Sequence, residues 1–251
     1  MNTTAASDHS GYYTADLTAL PFPQLWRQLP MPVVLKPLAM IGFWFYRLRW
    51  GNRPAVGYPW PETLNMIPAD QVPSEVLEKF TPFFRSCIDA EFTLQFVFVC
   101  SGIGQGATTI YSAVLLDKTG LVSAVTVCEY GASDVAVISQ GSYSFQTALT
   151  DGSLLLTTPA TADALAINLD PPHWKIVGLP LASEVPEVLR AHRDRLSDVS
   201  QRPVRFDSQS VKNFILSETQ SYIDHSFAQG RYRWLSNAEC DELKKTSEAG
   251  A

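Results

Sequence analysis

The chain has 251 residues, 46% of them hydrophobic and 18% charged, with a formal net charge of −6. That length and apolar content suffice for one large domain with a buried core, which excludes a chain disordered throughout. The acidic balance argues against general nucleic-acid binding, so no nucleic-acid partner is expected.

Residues 1–16 are small and polar, with neither a basic start nor an apolar core. They read as a disordered leader rather than a secretory signal. Residues 17–61 differ in kind. No acid lies between Asp16 and Glu62, whereas Arg27, Lys36, Arg47, Arg49 and Arg53 are basic. Trp26, Phe43, Trp44, Phe45 and Trp50 are interleaved with them. The apolar run 38–48 is shorter than the about 20 residues that cross a bilayer. Extending it upstream takes in Pro30, Pro32, Lys36 and Pro37, and a central Lys costs about 3 kcal/mol on insertion, so a full span is disfavoured. Two arrangements remain. Residues 33–48 pack on the sheet or on a partner subunit, or the segment lies at a membrane interface. There aromatic rings prefer the headgroup level, and each basic residue gains about 1 kcal/mol from anionic lipid. In either contact role the residues are Trp26, Arg27, Lys36, Phe43, Trp44, Phe45, Arg47, Arg49 and Trp50.

Residues 54–82 are Pro-rich and read as a connector. Ser74 is placed to cap a helix with Glu75 and Glu78 in its first turn, and Pro82 is expected to limit that helix near Arg85. From Phe92 to Thr158 hydrophobic alternation repeats between turns. Strict alternation puts Phe92, Leu94, Phe96, Phe98 and Cys100 on one face. Further strands are expected at 107–116, 121–130, 135–139, 143–149 and 153–158. Asp117-Lys118-Thr119-Gly120 forms one turn, and Asp151-Gly152 a tight primed hairpin. Connections this short imply an antiparallel meander, because parallel pairing needs a long crossover.

Trp174–Leu179 is a further strand candidate. A helix capped by Ser183 runs through Leu196, and a second, from Ser208 to Phe227, ends near Gly230. Residues 235–251 read as a charged tail that frays. The expected fold class is therefore α+β: six or seven antiparallel strands within residues 62–234, with two or three helices packed on one face.

Chemistry-bearing motifs are sparse. His192 shares an apolar stripe with Val185, Leu189 and Leu196, so its ring faces inward. It is either a core histidine bonded within the fold or, with Tyr143, part of a ligand pocket. Glu218 and His225 lie two turns apart on one helix, too far to touch, so a site there needs a third group. Gly102-x-Gly104-x-Gly106 runs into a strand rather than a helix, which marks a hairpin loop and not a phosphate cradle. Asp89 and Glu91 read as solvated edge charges. Cys87, Cys100, Cys128 and Cys240 lack metal-ligand or redox spacing, and those within apolar strands behave as small hydrophobes. Neither metal nor cofactor is expected, no catalytic residue is assigned, and the reducing cytoplasm is the expected compartment.

The leading expectation is a non-enzymatic binding or interaction module, held at an anionic membrane surface or a protein partner by residues 17–61. The alternative is a small-ligand carrier or enzyme with its pocket between sheet and helices near His192.

Overall fold

A computed structural model describes residues 9–16, 41, 54–104, 106–131, 142–160 and 170–249. In chain order the elements are β1 (His9–Ala15), β2 (Tyr58–Pro59), β3 (Asn65–Ile67), a 3-10 turn (Ala69–Gln71), α1 (Ser74–Asp89), β4 (Phe92–Ser101), β5 (Thr108–Asp117), β6 (Ser123–Gly131), β7 (Ser142–Ala148), β8 (Leu154–Pro159), β9 (Trp174–Leu179), α2 (Val185–Asp198), α3 (Ser208–Ala228), β10 (Tyr232–Ser236) and α4 (Asn237–Ala249). The strand expected at 135–139 lies outside the described residues. So do Trp26, Arg27, Lys36, Phe43, Trp44, Phe45, Arg47, Arg49 and Trp50.

The chain divides into two units by its internal contacts. The larger comprises Pro61–Ser101 and Thr108–Tyr222; the smaller comprises Met1–Trp60, Gly102–Ala107 and Ile223–Ala251.

The larger unit holds a seven-stranded sheet in sequential order from β3 to β9. Strands β3 to β8 pair antiparallel, as the short connections from β4 to β8 favour, although α1 lies between β3 and β4. The last pair differs: β8 and β9 run parallel, in register from Leu154↔Trp174 to Pro159↔Leu179. The fold is α+β, as composition and pattern imply, but the sheet is mixed rather than a pure meander. Residues 160–173 supply the dozen or so residues that a crossover needs.

Strict alternation also fails in β4. The register with β5 shifts between Leu94 and Phe96, a bulge that re-aims everything after it. The amide of Gln95 donates to Thr93 O at 3.0 Å and Thr93 Oγ1 at 2.8 Å, while its oxygen accepts from Ser208 Oγ at 2.6 Å. Phe92 therefore packs with Leu115, Phe145 and Val188, whereas Phe96 and Phe98 pack with Val114, Val211 and Ile215. Adjacent β5 residues point to opposite faces, so these clusters lie on opposite sides of the sheet. Helices α1 and α2 cover one side, and the Ser208–Tyr222 part of α3 covers the other. The helices are thus not confined to one face: β5 is apolar at both parities from Ala113 to Leu116, and each parity must be buried.

Helix α1 continues past Pro82 to Asp89. Its buried stripe, Val76, Phe80, Phe83 and Cys87, spans the proline. Burial at about 1.5–3 kcal/mol per large apolar side chain offsets the roughly 3 kcal/mol that an interior proline costs. Its N-cap is Pro73, and Ser74 is already helical. The β7–β8 hairpin forms where expected, with Gly152 at φ 80 and its N–H donating to Leu149 O at 3.0 Å. Asp151 does not share the positive φ, so the turn is not the primed two-residue type.

In the smaller unit β1 lies between β10 and β2 in a three-stranded antiparallel sheet. Strand β1 occupies what the sequence marks as a disordered leader. Tyr13 packs against Tyr232, Phe227 and Tyr58, at ring separations of 5.1, 6.0 and 6.4 Å, and these aromatic contacts offset the ordering entropy. The C-terminal residues are likewise a strand and a helix rather than a fraying tail. Ser236 N–H donates to Glu239 Oε2 at 2.9 Å and Glu239 N–H returns a bond to Ser236 Oγ at 3.3 Å, a capping box that starts α4. Leu235, Cys240 and Leu243 are buried. Gly104, at φ 116, belongs to this packing. A Cβ there would stand 2.2 Å from Ala55 O, and the Gly104 N–H donates to Ser247 Oγ at 2.6 Å. That accounts for the central glycine of the Gly102–Gly106 loop without a phosphate.

Candidate functional site

Helix α2 begins where Glu187 accepts the Glu184 N–H at 3.2 Å, with Pro186 in its first turn. Its inward stripe, Val188, Leu189 and His192, meets the sheet beside Phe145. His192 is fully buried, as its position predicts. Its partners come from neighbouring strands: Nε2 lies 3.0 Å from Thr147 Oγ1 and Nδ1 lies 2.9 Å from Thr157 Oγ1.

Hydrogen counting assigns the tautomer. Thr147 donates its only hydroxyl proton to Leu121 O at 3.0 Å, so it must accept from His192 Nε2–H. Nδ1 is then the acceptor, and Thr157 donates to it. Thr157 Oγ1 in turn accepts from Arg195 Nη1 at 2.7 Å. The result is a directional chain from the Arg195 guanidinium through Thr157, His192 and Thr147 to a backbone carbonyl, with both ring nitrogens satisfied. The ring is neutral. Burial, followed by the charges of Arg195 and Arg193, lowers its pKa to about 3.

Tyr143 lies over the same sheet face. Its hydroxyl donates to Ser183 O at 3.0 Å and its ring packs 5.2 Å from Phe83. Burial first, then Cys87, Glu187 and Glu184, push its pKa up to about 12. The Phe145 ring touches both Tyr143 and His192, at 6.4 and 6.3 Å. The two sequence-predicted pocket residues are therefore brought to one face, each with its polar atoms engaged by the fold.

A cavity of about 260 Å³ opens beside the same helix, walled by Arg193 and Leu196 of α2, Ala90 and Glu91 after α1, and residues of the β5–β6 turn. Neither His192 nor Tyr143 lines it. The turn is organised by Asp117, whose Oδ1 accepts from the N–H groups of Leu121 and Val122 at 2.9 and 3.1 Å and whose Oδ2 accepts from Thr119 Oγ1 at 2.6 Å.

Sequence reasoning missed a second polar cluster. Glu218 Oε2 accepts from His173 Nε2 at 3.0 Å and from the Trp174 indole N–H. Trp174 stacks on Tyr222 at 5.9 Å. The group that Glu218 meets comes from the start of β9, and no helical spacing announces it. Only the parallel placement of β9 brings it there.

Three of the four thiols are held in the protonated form by burial. Burial pushes Cys87 up to about 12, Cys100 up to about 11, and Cys128 upward as well. All four cysteines are free. Among the described residues no group of three or more His, Cys, Asp or Glu side chains converges as a metal site, and no helix is long and apolar enough to cross a membrane. No protein-family model, curated protein or solved structure matches the chain.

Proposed function

We propose that this protein is a binding module that docks on an anionic membrane surface through the basic, aromatic segment 17–61, at the cytoplasmic side of that membrane. The observation that supports this reading is where the segment is attached. Strands β1 and β2 flank it and are hydrogen-bonded neighbours, with Tyr12 opposite Pro59 and Tyr13 opposite Tyr58. The chain between Asp16 and Pro54 therefore leaves and rejoins the sheet at two neighbouring strands, at the same end of both. Asp16 N–H is itself held by Arg231 O at 2.6 Å. Charge supports the same reading. The segment contains five of the 19 Lys and Arg and none of the 25 Asp and Glu, so the rest of the chain carries a net −11. Five cations near anionic lipid contribute about 5 kcal/mol at low salt. The acidic remainder is repelled from the same surface, which orients the molecule. Four free thiols accord with a reducing compartment.

The test is flotation with phosphatidylserine-containing and with neutral vesicles. The full chain is compared with a variant in which residues 17–53 are replaced by a short Gly-Asn turn. Removing residues 1–61 outright would take away β1 and β2, so replacement is the better control. The full chain should float with anionic vesicles and be released by salt, while the folded replacement variant stays in solution. Salt-resistant flotation on both vesicle types would point to insertion instead. A folded full chain that never floats sinks the proposal and leaves a protein partner as the target of the segment. His192→Gln, provided it folds, should float like the parent chain.

A further inference from the structure

The cavity beside α2 has an apolar floor and a charged rim. Leu121, Val122 and Leu196 supply the floor, and Lys118, Arg193 and Glu91 stand at the rim. Its charges can be assigned one by one. The carboxylate of Asp117 is engaged by two backbone N–H groups and the Thr119 hydroxyl, so it is fixed within the turn. Glu91 pairs with Lys118, and both side chains are 63% exposed. Such an exposed pair is weak and readily displaced. Arg193 is exposed and has no acidic partner among the described residues.

Glu91 adds a second observation. It is the one non-glycine among the described residues with positive φ, at 67°. A left-handed conformation is strained for an L-residue, and this one sits at the cavity rim, where α1 ends.

We propose that this cavity binds a small organic monocarboxylate, its apolar body on Leu121, Val122 and Leu196 and its carboxylate at Arg193. The size fits a fragment-sized ligand, since about 260 Å³ lies just under the roughly 300–1,000 Å³ of drug-sized pockets. The chemistry fits a carboxylate because the planar guanidinium fork matches it in two parallel hydrogen bonds, with Lys118 as a second cation. The site stands apart from the membrane reading and survives or fails without it.

The experiment is an amide-resolved NMR titration of the full chain with benzoate, butyrate and isovalerate, with benzamide as the neutral counterpart of benzoate. At least one carboxylate should shift the amides of Lys118 to Val122 saturably. Benzamide should bind at least about tenfold more weakly than benzoate if the charged contact carries recognition. Arg193→Gln changes an exposed side chain and should unfold at the parent temperature, yet lose about tenfold in carboxylate affinity. The proposal is overturned if none of the three acids binds saturably, if benzamide binds as well as benzoate, or if folded Arg193→Gln binds unchanged. The acid-against-amide comparison decides on the parent chain alone should the variant fail to fold.

Discussion

Two histidines of the larger unit sit in opposite surroundings. His192 is enclosed between α2 and the sheet, its ring held by two threonine hydroxyls with arginines as the nearest charges. His173 is 31% exposed by side chain and meets Glu218, which is 19% exposed. Enclosure with neutral partners fixes the first ring in one tautomer and excludes its charged form. The second instead meets a carboxylate and keeps access to water. The contrast teaches that a titratable side chain in a core is structural when every lone pair and proton has a partner, whatever its sequence neighbours suggest.

Removing the enclosed ring should have the largest effect. His192→Leu leaves the Thr157 hydroxyl proton without its acceptor inside the core. It should cost about 3 kcal/mol of unfolding free energy, read by urea denaturation. A loss under about 0.5 kcal/mol would mean that the network carries no stability.

The pH response comes next. The folded pKa of His192, about 3, lies below its ordinary 6.5, so the unfolded chain binds the extra proton between those values. The resulting stability is present above 6.5 and is lost as pH falls. From about pH 8 to about pH 5, where carboxylates stay ionised, the loss should be about 2 kcal/mol. His192→Leu should lack that slope. An unchanged slope in the variant would place the titration elsewhere.

A smaller effect sharpens the tautomer assignment. Thr147→Val leaves the His192 Nε2–H without its acceptor, which should cost about 2 kcal/mol in the parent and much less beside His192→Leu. The coupling expected from the double-mutant cycle is about 1–2 kcal/mol, and additivity would contradict the directional chain. The open pair gives the smallest effect. Glu218→Gln should change stability by at most about 1 kcal/mol at neutral pH, because its partner is half-solvated. A loss near that of His192→Leu would erase the contrast between the two sites.

How far the sequence reveals this arrangement follows from which interactions are local. Strands β4 to β8 are legible because alternation and turn residues lie within a few positions of each other. The inward aim of His192 is legible for the same reason. Its partners are not, since Thr147 and Thr157 lie 45 and 35 residues away and read as ordinary strand threonines. The β4 bulge escapes because one side chain, Gln95, makes it by bonding back to Thr93. The parallel pairing of β9 and the Glu218 cluster depend on a crossover that carries no local mark. By contrast, α4 was open to inspection: Ser236-x-x-Glu239 is a capping-box signature, and an acidic composition hides it. Arg233 completes that cap with a bond to Glu239 Oε1 at 2.6 Å. Together with the Ser236 bonds it lowers the Glu239 pKa to about 2.

Arg195 binds Leu156 O at 2.8 Å with one terminal nitrogen and Lys175 O at 2.7 Å with the other, so a single side chain ties β8 to β9. The two strands form the one parallel pair in a sheet whose other neighbours pair antiparallel. Such a junction imposes an order of events. The hairpins can zip as soon as their turns form, but β9 must wait until residues 160–173 have carried it back alongside β8. The guanidinium finds both carbonyls only after that. It acts as a late fastener, so weakening it should speed unfolding and leave the folding rate nearly untouched.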